Sequence, residues 1–215
     1  MIFFLRPAGS GGSGCQGPLP PVIRAKPTRI VIADASPMAT YIGQPAMVAI
    51  EVTPKIPGSV QFAVNGHSTN QIAAFGGNNA SLPVTLPSGS CEVRATFMPY
   101  DQRTYAMSSP SNSITHFVNK AGVQVKVLSP SALNDRYDLK AEVSVLAPAV
   151  CPVQGSVQFA VDGLAPVALA PCLGGVATLR NQSLVKGHPY NISATFHSTG
   201  DTEDGSPAQL IYTPP

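Results

Sequence analysis

Apolar residues recur at every second position in short runs along this chain. Val48, Ile50 and Val52 alternate with Ala49 and Glu51, and Leu139, Ala141 and Val143 alternate with Lys140 and Glu142. That period turns one face of each run toward a core and predicts half-buried β-strands. In the next runs Val60, Phe62 and Val64 share a face, as do Val157, Phe159 and Val161. A later pair sets Cys91, Val93, Ala95 and Phe97 on one side, matched by Tyr190, Ile192, Ala194 and Phe196. The alternation therefore predicts Phe62, Phe97, Phe159 and Phe196 in the core. Asn65-Gly66 and Asp162-Gly163 each close a run with residues that tolerate positive φ, which predicts two-residue type I′ hairpin turns. No apolar i, i+3, i+4, i+7 pattern lasts three turns, so an all-β chain is expected.

The runs repeat. Residues 58–66 read GSVQFAVNG and residues 155–163 read GSVQFAVDG, an offset of 97. Ala95-Thr96-Phe97 matches Ala194-Thr195-Phe196 at 99, and Val48–Thr53 matches Leu139–Ser144 at 91. The step from 91 to 97 places six extra residues of the second copy within Val145–Gln154, where a loop tolerates them. This self-similarity predicts two units, 28–119 and 120–215, each of around seven strands punctuated by turns, the pattern of an antiparallel β-sandwich. Residues 1–27, with AGSGGSG and GPLPP, read as a disordered or extended leader. Val118-Asn119-Lys120-Ala121-Gly122 leaves so short a join that a rod-like pair is expected.

The segments YIGQPAMVAIEVTP, PGSVQFAVNG and SLPVTLPSGSCEVRATF resemble the bacterial Ig-like repeats that occur in tandem in large surface proteins. In that family a G-Q-P or similar triplet opens the second strand, and G-[ST]-V-x-F precedes an N-G or D-G turn. An x-I-x-A-x-[FY] strand then follows a small-residue turn. Gly43-Gln44-Pro45, Gly58–Gly66 and Val93–Phe97 match it in the first copy, whereas the second has Asn134-Asp135-Arg136 in place of the triplet. The resemblance spans about residues 28–215. It implies two tandem Ig-like antiparallel β-sandwiches and says little about ligand.

Charge narrows the function classes. With 13 Lys+Arg against 11 Asp+Glu, the net charge of +2 supplies no electrostatic footprint for nucleic acid. The apolar run Ile2–Leu5 is far shorter than a membrane span or a secretory core, so neither membrane insertion nor a cleavable signal is expected. The low charged content and heavy Thr, Ser, Pro and Gly use point to an extracellular or cell-surface location. With no signal visible, the chain is expected to be a fragment or part of a larger polypeptide.

Candidate chemistry is sparse. His67, His116, His188 and His197 form no pair at i, i+2 and sit in no nucleophile motif, and no phosphate-cradling loop follows a strand. They are read as scattered, solvated side chains, no catalytic residue is assigned, and the chain is expected not to be an enzyme. Asp201, Glu203 and Asp204 place carboxylates near one turn, where they could converge on Ca²⁺; the competing reading is a solvated loop, and no other cofactor is expected. Tyr100 and Tyr105, in the loop after Phe97, are the aromatic candidates for ligand binding. The four cysteines lack zinc spacing. If Asp162-Gly163 centres a two-residue hairpin, opposed residues sum to 325 and Cys172 faces Val153, two positions from Cys151. A Cys151–Cys172 disulfide is therefore expected, against two reduced thiols in neighbouring loops. Cys91 should point inward and stay unpaired, and Cys15 should be the accessible thiol.

Two function classes follow. One is a structural or adhesive module, a stalk or spacer whose partners are other Ig-like repeats or surface or virion proteins. The other is an accessory module of a secreted hydrolase, directed at polysaccharide.

Overall fold

The computed structural model describes residues 24–133, 136–162, 164 and 169–215. No helix occurs among them, and strands fill the positions that the period-two pattern marks. In the first half these are β1 (Arg29–Ser36), β2 (Ala39–Tyr41), β3 (Pro45–Thr53), β4 (Gly58–Val64), β5 (His67–Phe75), β6 (Ala80–Thr85), β7 (Gly89–Pro99) and β8 (Ile114–Asn119). A three-stranded sheet, β1-β3-β6, faces a five-stranded one, β2-β8-β7-β4-β5. All pairs are antiparallel except β2 with β8, which run parallel. Strands distant in sequence are neighbours in each sheet, and this crossing connectivity makes the half an Ig-like β-sandwich.

The second half contains β9 (Val123–Leu133), β10 (Arg136–Val145), β11 (Gly155–Val161), β12 (Leu169–Leu173), β13 (Val176–Gln182), β14 (Tyr190–Ser198) and β15 (Ala208–Tyr212). They form one hydrogen-bonded sheet, β15-β14-β11-β12-β13-β10-β9, rather than two separate ones. The link is the β12–β13 hairpin, turned by Gly174 and Gly175, both at positive φ. A single core takes Phe159 and Phe196 from one end of this sheet and Leu139 and Val143 from the other, so the sheet folds back on itself as a sandwich joined along one side.

Two hydrophobic clusters fill the two sandwiches. Phe62, Phe97, Phe159 and Phe196 are all fully buried, as the alternation predicts. The registers coincide as well: Val60 pairs with Phe97 and Phe62 with Ala95 in one half, Val157 with Phe196 and Phe159 with Ala194 in the other. The glycine opening β4 and β11 has the same cause in both. A Cβ on Gly58 would sit 2.5 Å from both the Met98 carbonyl oxygen and the Phe97 ring, and one on Gly155 would strike the His197 carbonyl oxygen and sit 2.8 Å from the Phe196 ring. Each phenylalanine folds over a glycine that leaves room for it.

Local turn chemistry sets the strand register in the first half and does not set it in the second. Asn65 and Gly66 adopt φ of 51° and 80°, the type I′ turn expected, and Val64 pairs with His67. In the second half β11 and β12 do not pair in the register of a two-residue hairpin. A turn closes from Val161 to Leu164, and β12 begins only at Leu169, paired with Gln158. Gly163 itself lies outside the described residues. Most of the leader, with Cys15, also lies outside them, yet pairing starts within it: the Lys26 amide donates to Thr104 and the Ala106 amide donates to Lys26.

Candidate functional site

The most constructed feature outside the two cores is the junction between them. Between β8 and β9 run only Lys120, Ala121 and Gly122. Ala121 is fully buried and belongs to the first cluster. Its amide donates to the Asp201 carbonyl at 2.9 Å, and its carbonyl accepts from the Glu203 amide at 2.8 Å. The β14–β15 loop of the second sandwich is thereby laid along the connecting segment. The Asp201 carboxylate then reaches back to the first sandwich, accepting from Ser88 Oγ at 2.6 Å.

The opposite side of the junction is held by the extra residues that the repeat offsets locate. Nine residues, 146–154, connect β10 to β11, against four, 54–57, between β3 and β4. The longer loop docks on the first sandwich: the Val150 amide donates to the Ile42 carbonyl at 2.9 Å, and Ala149 is buried in the first cluster. Gly43 has φ of 84° and lies directly under Val150, whose Cβ would be 3.0 Å from any Cβ placed there. The glycine of the Gly43-Gln44-Pro45 triplet thus serves both a turn and a close backbone approach. The repeat comparison could locate the insertion but not its destination, because a docking contact has no local sequence period.

Asp201, Glu203 and Asp204 do not assemble as the calcium reading expects. Among the described residues, no group of three or more His, Cys, Asp or Glu is placed to hold a metal ion. The acids are directed elsewhere: Asp201 to Ser88, Asp204 to the Ser198 amide at 2.7 Å, and the Glu203 backbone to Ala121. Adjacent positions in a turn that zips onto a neighbouring segment point their side chains apart.

The Cys151–Cys172 bridge is also corrected, since both are free thiols. Ser156 pairs with Pro171, two residues off the register that a two-residue turn would impose, so Cys172 comes level with Gly155 instead of Val153. Residues 149–151 meanwhile turn toward the first sandwich. Cys151 packs against the first cluster, whereas Cys172 lies buried in the second. Burial raises the pKa of both thiols, and the Asp201 charge raises that of Cys151 further. Cys91 faces inward and is free, as expected. Mass spectrometry of the unreduced native protein should yield Cys151 and Cys172 as separate thiols, with Cys151 the faster of the two to be alkylated because it is only half-buried. A peptide pair linked through 151 and 172 would refute this arrangement.

The tyrosines do not form a matched pair of exposed rings. Tyr100 is 65% exposed, but Tyr105 is half-buried and bridged to Lys26. Asp101 shapes the loop between them, accepting from the Arg103 and Thr104 amides at 3.1 Å. Hydrogen bonds from Thr104 hold the Asp101 carboxyl below its ordinary pKa.

Of the histidines, His67 and His188 are exposed, and His197 bonds to Gln158 Oε1 at 3.2 Å. His116 overturns the solvated reading. It is 1% exposed on β8, opposite Cys91, and its Nε2 lies 3.1 Å from Thr40 Oγ1 on β2. Desolvation holds its pKa below the ordinary value of 6.5. A signal was present: Ile114, His116 and Val118 alternate along one face.

No family model matches the chain, and no curated protein matches it in sequence. Among solved structures it is similar to a two-domain fibronectin type III segment of chicken tenascin, at 11% identity over 86% of this chain and 98% of that one, with a TM-score of 0.43. It is similar to the ligand-binding domain of human OSCAR at 11% identity, over 86% of this chain and 99% of that one, with a TM-score of 0.33. Similarity to the apo form of Bacteroides uniformis β-glucuronidase 3 is at 14% identity, over 86% of this chain and 25% of that one, with a TM-score of 0.32. The chain spans about a quarter of the length of the β-glucuronidases it matches.

Proposed function

We propose that this chain is a non-catalytic structural module, a two-sandwich stalk or spacer of a cell-surface, secreted or virion protein. Its units in this reading are 28–119 and 120–215, and its resemblance in sequence is to the tandem bacterial Ig-like repeats. The observation that supports it is the clamped junction. Loops from both sides of the second sandwich reach the first, through Val150 to Ile42 and through Asp201 to Ser88 and Ala121. A spacer transmits position only if its joint resists bending, and hydrogen bonds on two sides of a three-residue connection oppose bending in more than one direction. A module that only tethers a neighbour has no use for such a joint.

Small-angle scattering tests this reading. The wild-type protein should behave as one stiff, end-to-end body with a long axis of about 70–80 Å, estimated from strand rise plus loops. Gly43→Val should loosen it, because a side chain there collides with Val150 and meets a backbone that L-residues adopt at a cost of about 1–2 kcal/mol. The pair-distance distribution should broaden while circular dichroism still reports folded sandwiches. A wild type already as flexible as this variant would defeat the spacer reading.

A further inference from the structure

The two sandwiches hold their last strands differently. β8 is paired on both sides, with Gly89–Val93 of β7 and with Ala39–Tyr41 of β2. β15 is paired with Tyr190–Ala194 of β14 and has no strand on its other side among the described residues. Burial follows this difference. Cys91 and Tyr190 hold matching places in the two halves, and their partners across the ladder are His116 and Tyr212. His116, bonded to Thr40 of β2, is 1% exposed, whereas Tyr212, at a bare edge, is only half-buried. The entering strands, by contrast, are alike. β1 is held along β3 and β9 along β10, and the segment before each bridges a loop of its own sandwich, Lys26 to Tyr105 and Ala121 to Thr202.

A pull along the chain acts on these strands directly. In the first sandwich it enters through β1 and leaves through β8. β2 continues from β1 and runs parallel to β8, so the pull drags β2 toward its own start and β8 toward its own end. The bonds between them lie in one row, among them the Ile42 amide to the Asn119 carbonyl at 3.0 Å and the Asn119 side-chain amide to the Thr40 carbonyl at 3.3 Å. Bonds in such a row share the load and fail together. In the second sandwich the pull enters through β9 and leaves through β15, the two end strands of the sheet. No hydrogen-bonded ladder joins these two among the described residues. Load crosses between the layers through side chains such as Tyr137 and Tyr212, edge-on at 6.1 Å. Past β15 the exit is held by the Gly187 amide, which donates to the Pro214 carbonyl at 2.9 Å.

We propose that the pair is graded in its resistance to tension: under a pull along the chain the second sandwich yields first, by release of β15, while the β2–β8 pair keeps the first one folded. The inference rests on the spacer reading, because only a module strung between two attachments is pulled. The second sandwich then serves as the extensible unit, and the first keeps its folded surface under load. Forced opening is governed by the unfolding rate, not by equilibrium stability. Hydrogen bonds that break together multiply their effects on that rate, so a few of them change it by roughly tenfold or more.

Single-molecule stretching of the full chain, held by its two ends at constant load, tests this. About ten Gly and Ser residues inserted between Asn78 and Asn79, both exposed in the β5–β6 loop, lengthen the first sandwich's step by about 35 Å and so mark it. The unmarked step should come first, with a lifetime shorter by roughly tenfold or more. Asn191→Cys with Ile211→Cys joins opposed positions of β14 and β15, whose spacing of about 4.5–5.5 Å accepts a disulfide. Once oxidised, this cross-link should lengthen the unmarked lifetime by roughly tenfold, and reducing it in the same molecule should restore the early step. Tyr41 turns its amide to Gln44 Oε1, so the Thr40 amide faces β8. Thr40→Pro removes that donor and should shorten the marked lifetime by roughly tenfold, whereas Met38→Ala, at a side chain 90% exposed, should not. A marked step that comes first, equal lifetimes, or an early step untouched by the cross-link overturns the proposal. So does a folded Thr40→Pro variant with an unchanged marked lifetime; the cross-link comparison stands whether or not that variant folds. Yielding order is read from tethered molecules and joint stiffness from free ones by scattering, so either reading can fail while the other holds.

Discussion

Phe97→Ala should destabilise the first sandwich by about 3–5 kcal/mol, a large part of the total stability of a sandwich this size. The ring is fully buried, stacks edge-on against Phe75 at 5.8 Å and covers Gly58 on the neighbouring strand. Removing it forfeits its transfer free energy and leaves a cavity that a two-layer sheet cannot close without bending β4 or β7. Phe117→Ala, on a half-exposed ring of the outer face, should cost less than about 0.5 kcal/mol. Urea melts followed by circular dichroism compare the two. The glycine offers an internal check. Gly58→Ala is destabilising in the wild type, where its methyl meets both the ring and the Met98 carbonyl, and should be less so, though still destabilising, in the Phe97→Ala background, which relieves the ring contact alone; the two effects then sum to more than the double variant loses. An effect of Phe97→Ala below about 1 kcal/mol would mean that this ring does not hold the sheets together.

The same phenylalanines mark how far residue order alone reaches into the fold. Alternation along a strand is a local property, so Val60, Phe62, Ala95 and Phe97 could be placed inward from it, and their repeats at 157, 159, 194 and 196 with them. Asn65-Gly66 was readable for the same reason, because both residues of the turn lie within it. Asp162-Gly163 carries the same local signal, yet β12 starts at Leu169 and answers to the short Gly174-Gly175 hairpin on its other side. The register moved by two residues, and with it went the geometric basis of the cysteine bridge. The junction lay further from reach. Val150 against Ile42 and Asp201 against Ser88 join residues about a hundred positions apart, and hydrogen bonds of that kind leave no period in the sequence. His116 was legible by alternation and lost to its residue type, since histidine is taken as a surface residue unless a neighbour claims it.

That buried histidine should make the first sandwich acid-sensitive. His116 is enclosed by Thr40 on β2 and Cys91 on β7, and the nearby Asp34 carboxylate is engaged with the Ala35 amide. Desolvation lowers its folded pKa below the ordinary 6.5. The sign follows from proton binding. Between the unfolded pKa of about 6.5 and the lower folded value, the unfolded chain takes up a proton that the folded one refuses. Stability is therefore complete above the unfolded value and falls as pH drops through that window, by up to about 1.4 kcal/mol per pH unit. The fall ends once pH is below the folded pKa. His116→Gln removes the titration and keeps a polar group near Thr40. It should flatten the slope of urea stability between pH 7 and 5, even though its stability at pH 7.5 is lower through imperfect packing. A wild-type stability that is level over this range, or a slope that survives His116→Gln, would show that the side chain is not held neutral between the sheets.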